Sequence, residues 1–240
     1  MPKIKTENPL KKTLAWLVHL YTASGGIFAL LSIIAIDDQR WDLSLIWLMV
    51  CFFIDGTDGL FARKFKVSTV LPYMDGASID FVIDFLSYAF VPAYFVYRSG
   101  LVPDSINFYL AAYIIITSAI YYGRQGMVSK KKQFKGFPVL WNLVVFYTFF
   151  IFQSGPIFNV CFILFFGILH FAPIEVSYPS KNLKQNPLPF ILGTTMLLVF
   201  VIILWQYPLR NQYLILSAFL AFAYFIYLTV YYTWFRKGDS

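Results

Sequence analysis

The chain has 240 residues, of which 59% are hydrophobic and 21% aromatic, whereas only 13% are charged. Soluble globular domains carry about 25% charged residues, so this composition excludes an ordinary soluble domain and predicts a polytopic membrane protein. The net charge of +7 would also suit a nucleic-acid-binding protein, but no segment resembles a nucleic-acid-binding fold, and we expect no nucleic-acid partner. Cys51 and Cys161 lie within apolar runs, which predicts neither a disulfide nor a thiolate metal site.

A basic segment, residues 1–12, precedes the first apolar run. Its charged residues include Lys3, Lys5, Lys11 and Lys12, and apolar Ile4 and Leu10 stand between them. Such a segment either lies on the membrane surface, held by anionic lipid, or forms a disordered basic tail. The sequence alone leaves both interpretations open.

Eight apolar runs follow, and the length and flanks of each are typical of a membrane-spanning helix. They are residues 13–36, 44–62, 77–97, 105–123, 138–153, 156–172, 188–206 and 212–235. The fifth and sixth runs are short and meet at Gln153–Pro156, which predicts a tight turn. We therefore expect an all-α polytopic transmembrane helical bundle that forms a single domain over residues 1–240. Residues 13–172 are expected to carry the functional site, and residues 188–235 to add two C-terminal helices.

The basic residues are divided unevenly between the two ends of the predicted bundle. With the N-terminus inside, the inner segments hold sixteen of the nineteen Lys and Arg residues, and the outer loops hold Arg40, Arg98 and Arg210. Positive residues concentrate in the cytoplasmic loops of membrane proteins. We therefore expect both termini to lie in the cytoplasm, and we interpret most of the net charge as a consequence of this topology.

Four aspartates interrupt apolar sequence on either side of the inner loop that joins the second and third runs. On helices, Asp55 and Asp58 are three residues apart and Asp80 and Asp84 are four apart, so each pair shares one helix face. Carboxylates that face one another in a low dielectric stay ionised only if a cation joins them. Because oxygen ligands favour hard cations, the pattern predicts a Mg²⁺ or Mn²⁺ site near the cytoplasmic interface. The alternative is a set of membrane-edge acids that only face water.

Small residues surround both aspartate pairs: Gly56, Gly59, Ala62, Gly76 and Ala77. A site for a bulky phosphate ester needs such room, and glycine lets the backbone approach a ligand closely. Arg63 follows the first pair, and its guanidinium group is suited to phosphate.

The stretch from Asp55 to Asp84 resembles the signature of the CDP-alcohol phosphotransferase family, D-x-x-D-G-x-x-A-R, a spacer, and G-x-x-x-D-x-x-x-D. The eight matching positions are Asp55, Asp58, Gly59, Ala62, Arg63, Gly76, Asp80 and Asp84. The twelve-residue spacer, 64–75, is longer than is usual for the family. This spacer, the segment 134–142 and the chain length resemble the bacterial branch of the family that uses choline.

The resemblance implies a phospholipid-synthesis enzyme of the bacterial inner membrane, commonly a homodimer. It would condense CDP-diacylglycerol with choline to give phosphatidylcholine and CMP. Family members hold divalent ions, here two ions of Mn²⁺ or Mg²⁺, with residues that correspond to Asp55, Asp58 and Asp80. Asp84 would share a metal and act as the general base toward the choline hydroxyl. The resemblance assigns CDP-lipid binding to Thr22, Gly59, Ala62, Arg63 and Gly76.

Choline carries a quaternary ammonium group, which aromatic faces and nearby negative charge bind well. Candidates for this acceptor pocket on the inner half of the chain are Tyr88, Tyr122, Trp141, Asn142, Tyr147 and Glu175. Because aromatic residues are abundant in this chain, each of these aromatic rings is equally suited to the core or the membrane interface. Arg124, at the mouth of the fourth run, is a candidate phosphate or lipid anchor. His19 and His170 are interpreted as interfacial histidines.

Two other functions compete with this interpretation. The first is another member of the same family, which would use serine, inositol or glycerol phosphate as the acceptor. A pocket for one of these alcohols needs Arg, Lys or several polar side chains, whereas the inner half of this chain offers aromatic residues and one Glu. A membrane transporter would also carry intramembrane acids, and its two halves often contain matching broken helices. The aspartate stretch occurs once in the sequence, which argues against such a repeat.

Overall fold

The computed structural model describes residues 9–129, 133–181 and 186–235. The helices in these ranges are α1 (Pro9–Asp37), α2 (Trp41–Lys64), the single-turn α3 (Val67–Val70), α4 (Gly76–Arg98), α5 (Asn107–Tyr122), α6 (Trp141–Phe152), α7 (Pro156–Leu169), α8 (Leu188–Gln206) and α9 (Gln212–Phe235). By length and composition, α1, α2, α4, α8 and α9 can each cross a membrane, whereas α5, α6 and α7 are shorter apolar helices. The predicted all-α, multi-pass membrane bundle is confirmed.

Each of the eight predicted apolar runs corresponds to one of these helices, and α3 adds a single turn within the loop between α2 and α4. The tight turn between α6 and α7 occupies residues 153–155, and Gln153 adopts the left-handed conformation there, with φ of 44°. Of the basic N-terminal segment, residues 1–8 lie outside the described residues, and residues 9–12 form the start of α1.

The first two helices form an antiparallel hairpin that is joined by buried polar contacts. The hydroxyl groups of Ser32 and Ser44 lie 2.8 Å apart, and both residues are fully buried. Nearer the other end of the hairpin, the Cys51 thiol donates to the Gly25 carbonyl oxygen over 3.4 Å. Small side chains at these positions let the two backbones approach closely, as is typical of helix pairs in membranes.

Helix α4 lies against α1 at Gly25, where the two helices almost touch. A Cβ atom at this position would lie 2.6 Å from Cγ2 of Ile83, closer than packed carbon atoms approach one another. The crossing therefore requires glycine, and it places the first half of α4 beside both helices of the hairpin. Asp75 caps the start of α4, because its carboxylate accepts from the Ala77 N–H over 3.1 Å and from the Ser78 hydroxyl over 2.6 Å.

Helix α4 contains a π-helical segment, Leu86–Phe90, that begins two residues after Asp84. Such a segment inserts an extra residue into the helix and is often found at functional sites. Here it turns the Tyr88 side chain into the interior, where the hydroxyl reaches α2.

A small antiparallel sheet lies between the helices at the end of the bundle where α1 begins. Strand β1 (Phe134–Lys135) pairs with β2 (Glu175–Val176), so that Phe134 is opposite Val176. Gly136 follows β1 with φ of 80°, and a Cβ atom there would clash with the His170 carbonyl group, so the turn requires glycine. The sheet draws the loop after α7 back toward the loop after α5.

The C-terminal helices α8 and α9 pack on α6 and leave much of their surface exposed. The rings of Phe146 and Phe200 stack with centroids 3.8 Å apart, and the Tyr147 hydroxyl donates to the Ala218 carbonyl oxygen over 2.9 Å. Within the most apolar 18-residue stretch of each helix, only 22% of the residues of α8 and 11% of those of α9 are buried. This outward apolar surface is suited to contact with lipid.

Candidate active site

The aspartate quartet, Asp55, Asp58, Asp80 and Asp84, meets at one end of the bundle. One carboxylate oxygen each from Asp55, Asp80 and Asp84 lies within 4.8 Å of the other two. Asp58 adjoins Asp80 and is 8% exposed. The two pairs converge because α2 ends and α4 begins at the same end of the bundle, joined by a short inner segment.

Two neighbouring hydroxyl groups fix half of the quartet. The Thr22 hydroxyl of α1 donates to Oδ2 of Asp58 over 2.8 Å, and the Tyr88 hydroxyl of α4 donates to Oδ2 of Asp55 over 2.7 Å. Thr22, Asp58 and Tyr88 are all buried, so these charge-assisted bonds hold the carboxylates in one orientation. Asp80 lies within hydrogen-bond distance of Asp58, whereas the Asp84 carboxylate has no hydrogen-bonding side chain beside it within the described residues.

The charge around the quartet is uncompensated within the described ranges. The two ion pairs found there, Arg40–Asp42 and Arg98–Asp37, lie at the opposite end of the bundle, and no Lys or Arg nitrogen lies within 4.0 Å of the quartet. Several carboxylates at this spacing repel one another unless a cation neutralises them. Three half-buried carboxylate oxygens lie close enough together to bind the same ion, and hard divalent cations prefer oxygen ligands. This cluster can therefore hold a metal ion.

Four of the five predicted nucleotide-lipid residues, Gly59, Ala62, Arg63 and Gly76, lie where α2 ends and α4 begins, and we call this region the open side of the quartet. Gly59 leaves room for the Arg63 guanidinium group, because a Cβ atom at Gly59 would lie 3.3 Å from its Nη1. Arg63 is exposed in the last turn of α2, and Ala62 beside it is half-buried. Gly76 is the first residue of α4. A phosphate ester that enters from this side would meet one guanidinium group and little steric bulk.

An aromatic surface adjoins the quartet on the side of α5. The ring of Tyr122 lies edge-on to Phe81 at 6.0 Å and to Phe85 at 6.3 Å, and its hydroxyl lies within electrostatic range of Asp84 and Asp55. Tyr88 lies deeper, edge-on to Phe52 at 6.2 Å. Two of the three tyrosines predicted for the acceptor pocket, Tyr88 and Tyr122, thus stand beside the carboxylates.

The remaining predicted acceptor residues lie elsewhere in the bundle, and their role stays a prediction. Trp141 is fully buried and its Nε1–H donates to the Ser118 hydroxyl over 2.8 Å. Tyr147 is equally buried against α9. The Asn142 side-chain oxygen accepts from the Leu143 N–H over 2.8 Å, and Glu175 lies in β2. Arg124 is exposed just after α5, as its predicted anchoring role requires.

Tyr178 is a neighbour of the quartet that sequence reasoning missed. Its ring stacks on Phe134 with centroids 4.2 Å apart, and its backbone N–H donates to the buried Gln133 side chain over 3.0 Å. Burial raises the pKa of the Tyr178 phenol, and the negative charges of Asp55, Asp84 and Asp80 raise it further. The loop after β2 therefore returns to the site, which only the long-range pairing of β1 with β2 reveals.

The chain is similar along most of its length to known bacterial proteins. The phosphatidylcholine synthase of Pseudomonas aeruginosa is 33% identical over 226 residues, which is 94% of each chain. That of Borreliella burgdorferi is 34% identical over 217 residues, 90% of this chain and 92% of its own. That of Mesorhizobium japonicum is 39% identical over 187 residues, 78% of this chain and 69% of its own. No protein-family model matches the chain.

Proposed function

The chain belongs to the phosphatidylcholine synthase family, and we propose that it condenses CDP-diacylglycerol with choline to give phosphatidylcholine and CMP. The observation that carries the proposal is the convergence of Asp55, Asp80 and Asp84 within 4.8 Å at the positions of the family signature. We further propose that residues 13–172 form the catalytic unit and that residues 188–235 serve as a scaffold. We also propose that the protein lies in the bacterial inner membrane, that both of its termini are cytoplasmic, and that it forms a homodimer.

We place the donor's diphosphate group on the open side of the quartet. Asp55, Asp58, Asp80 and Asp84 would hold two ions of Mg²⁺ or Mn²⁺, since their oxygens are the ligands that these ions prefer. Bound there, such ions would supply positive charge for the diphosphate group and for the CMP oxygen as it leaves. Thr22 and Tyr88 keep the carboxylates oriented, and Arg63 offers a guanidinium group to a phosphate oxygen.

The reaction is a displacement at the phosphorus of the phosphatidyl group. The choline oxygen forms a new P–O bond, the diphosphate P–O bond breaks, and CMP leaves with the electron pair of that bond. Asp84 would accept the hydroxyl proton, because it stands beside the aromatic surface where the acceptor is expected. No nucleophilic side chain takes part in this scheme.

The acceptor site requires a cation-binding environment, which the ring of Tyr122 supplies beside the quartet. An aromatic face attracts a quaternary ammonium group, and the attraction is largest where water is excluded. Inositol and glycerol phosphate carry no cation, so they gain nothing from the ring, and the ammonium group of serine is accompanied by a carboxylate that no basic side chain here would neutralise. The acceptor roles of Tyr88, Trp141, Asn142, Tyr147 and Glu175, and the anchoring role of Arg124, remain predictions within this proposal.

The direct test is to supply the purified protein with CDP-diacylglycerol, Mn²⁺ and one alcohol at a time, and to measure CMP release. We expect choline to support turnover, and serine, inositol and glycerol phosphate to give only background hydrolysis. Turnover with one of those three, and none with choline, would reassign the acceptor while leaving the CDP-lipid chemistry in place. No CMP release with any alcohol would refute the proposed function.

Replacing Tyr122 with Leu is expected to raise the KM for choline about tenfold, because a cation–π contact contributes about 1–2 kcal/mol in a desolvated site. Tyr122→Phe keeps the aromatic face and should retain a KM close to that of the wild type. Tyr109→Leu is the matched control, since Tyr109 lies on the same helix and is 70% exposed. If the Phe and Leu variants lose choline affinity equally, the hydroxyl group rather than the ring face binds the acceptor.

A further inference from the structure

His19 is a buried histidine that has one ring nitrogen without a partner. Its side chain is 5% exposed, and Nε2 is buried with no hydrogen-bond partner among the residues that the structure describes. An unsatisfied buried polar atom costs about 1–3 kcal/mol, so native structures rarely keep one without a use. The nitrogen is therefore expected to meet a group that arrives from outside the chain.

The imidazole ring is held against the first residue of α4. A Cβ atom at Gly76 would lie 3.0 Å from Cε1 and 3.5 Å from Nδ1 of His19, so the edge formed by these two atoms faces Gly76. The Trp16 ring packs edge-on to the imidazole ring at 6.2 Å. These contacts fix the position of the ring and leave Nε2 without a hydrogen-bond partner among the described residues.

His19 lies one helical turn further toward the open side than the quartet does. Thr22, one turn later in α1, bonds Asp58, and Asp80 follows Gly76 by about one turn of α4. One turn of helix is about 5.4 Å along its axis. A donor lipid whose diphosphate group lies at the quartet must direct its acyl chains into the bilayer, so its cytidine lies on the side of His19.

We propose that Nε2 of His19 hydrogen-bonds the cytidine end of CDP-diacylglycerol and thereby positions the donor lipid. The inference rests on the proposed function, since it assumes a nucleotide donor, and it assigns a second polar residue of α1 to the donor site beside Thr22. His19 is a binding residue in this scheme, because it lies one turn away from the carboxylates and takes no part in proton transfer.

The test compares His19→Gln with His19→Asn. The amide nitrogen of Gln can occupy the place of Nε2, whereas that of Asn falls near Nδ1. The binding of CMP in the presence of Mn²⁺ is measured by its effect on the melting temperature, and the KM values for CDP-diacylglycerol and choline are measured separately. Trp16→Phe is the control, since it changes the neighbour of the ring and leaves Nε2 in place.

We expect His19→Asn to weaken CMP binding and to raise the KM for CDP-diacylglycerol about three- to tenfold, the usual effect of one lost hydrogen bond. The KM for choline should stay unchanged, and His19→Gln and Trp16→Phe should bind CMP nearly as the wild type does. The inference is overturned if both His19 variants lower only the melting temperature, if choline affinity falls instead, or if the wild type binds no CMP. Because CMP binding needs no turnover, failure of the choline reaction alone would refute the proposed function without deciding the role of His19.

Discussion

Asp84→Asn is expected to reduce the rate of CMP release about 10²- to 10⁴-fold, the usual contribution of a general base. Asparagine keeps an oxygen ligand near the position of the carboxylate but cannot accept the proton of the choline hydroxyl. The loss should therefore appear in kcat, while CMP still stabilises the folded protein in the presence of Mn²⁺. Single-turnover measurements on purified protein, with saturating CDP-diacylglycerol and choline, separate these two effects.

Asp42→Asn is the matched control for this substitution. Asp42 lies at the opposite end of α2, where its carboxylate pairs with Arg40 over 3.6 Å at the surface, and such pairs contribute little to stability. Its loss should leave both kcat and CMP binding unchanged. Turnover of Asp84→Asn close to that of the wild type would show that another group accepts the proton.

Removal of divalent ions is expected to stop CMP release, and added Mg²⁺ or Mn²⁺ is expected to restore it. In the described part of the chain no Lys or Arg nitrogen lies within 4.0 Å of the quartet, so no basic side chain separates its carboxylates from the donor's diphosphate group. Without cations these negative charges repel one another. A loss of about 4 kcal/mol of transition-state stabilisation, which is in the range for metal catalysis, corresponds to about a thousandfold in rate.

The chelated protein must remain folded for this result to be informative. Circular dichroism before and after chelation serves as that control, and elemental analysis establishes that no metal remains. Full activity in protein shown to be metal-free would exclude a role for divalent ions. Activity that returns with monovalent salt alone would point to simple charge screening.

The quartet could be predicted from the sequence because its geometry depends on local rules. Helical spacing places Asp55 with Asp58 and Asp80 with Asp84, and the short inner loop makes α2 and α4 run in opposite directions. The family resemblance predicts Thr22 as a residue of the site, and the hydrogen bond from Thr22 to Asp58 places α1 beside the quartet. Local periodicity and a short connection were therefore enough to bring the carboxylates together.

The surroundings of the quartet depend on long-range contacts that no local pattern encodes. Tyr178 reaches the site because β1 pairs with β2 across about forty residues of chain, and these strands are only two residues long. His19 carried no distinguishing signal, since a histidine near a helix end suits a membrane interface equally well. Its significance follows from the burial of Nε2 against the start of α4.

The aromatic residues show a related limit of sequence reasoning. The chain contains 27 Phe, 17 Tyr and 6 Trp residues, so composition cannot separate a substrate-facing ring from a core ring. Tyr122 and Trp141 are both aromatic residues of the same half of the bundle, but Tyr122 faces the carboxylates and Trp141 bonds Ser118 in the interior. The difference is decided by the packing of α5 and α6, which periodicity leaves open.

The most direct test is to count the Mn²⁺ ions that the protein binds, by electron paramagnetic resonance during a titration of purified protein. We expect about two tightly bound ions per chain in the wild type, as in two-metal phosphoryl-transfer sites. The variant that carries Asp55→Asn, Asp80→Asn and Asp84→Asn together should lose them, while Asp42→Asn keeps them. Unchanged Mn²⁺ binding by the triple variant, or none by the wild type, would contradict a divalent-cation site in the quartet.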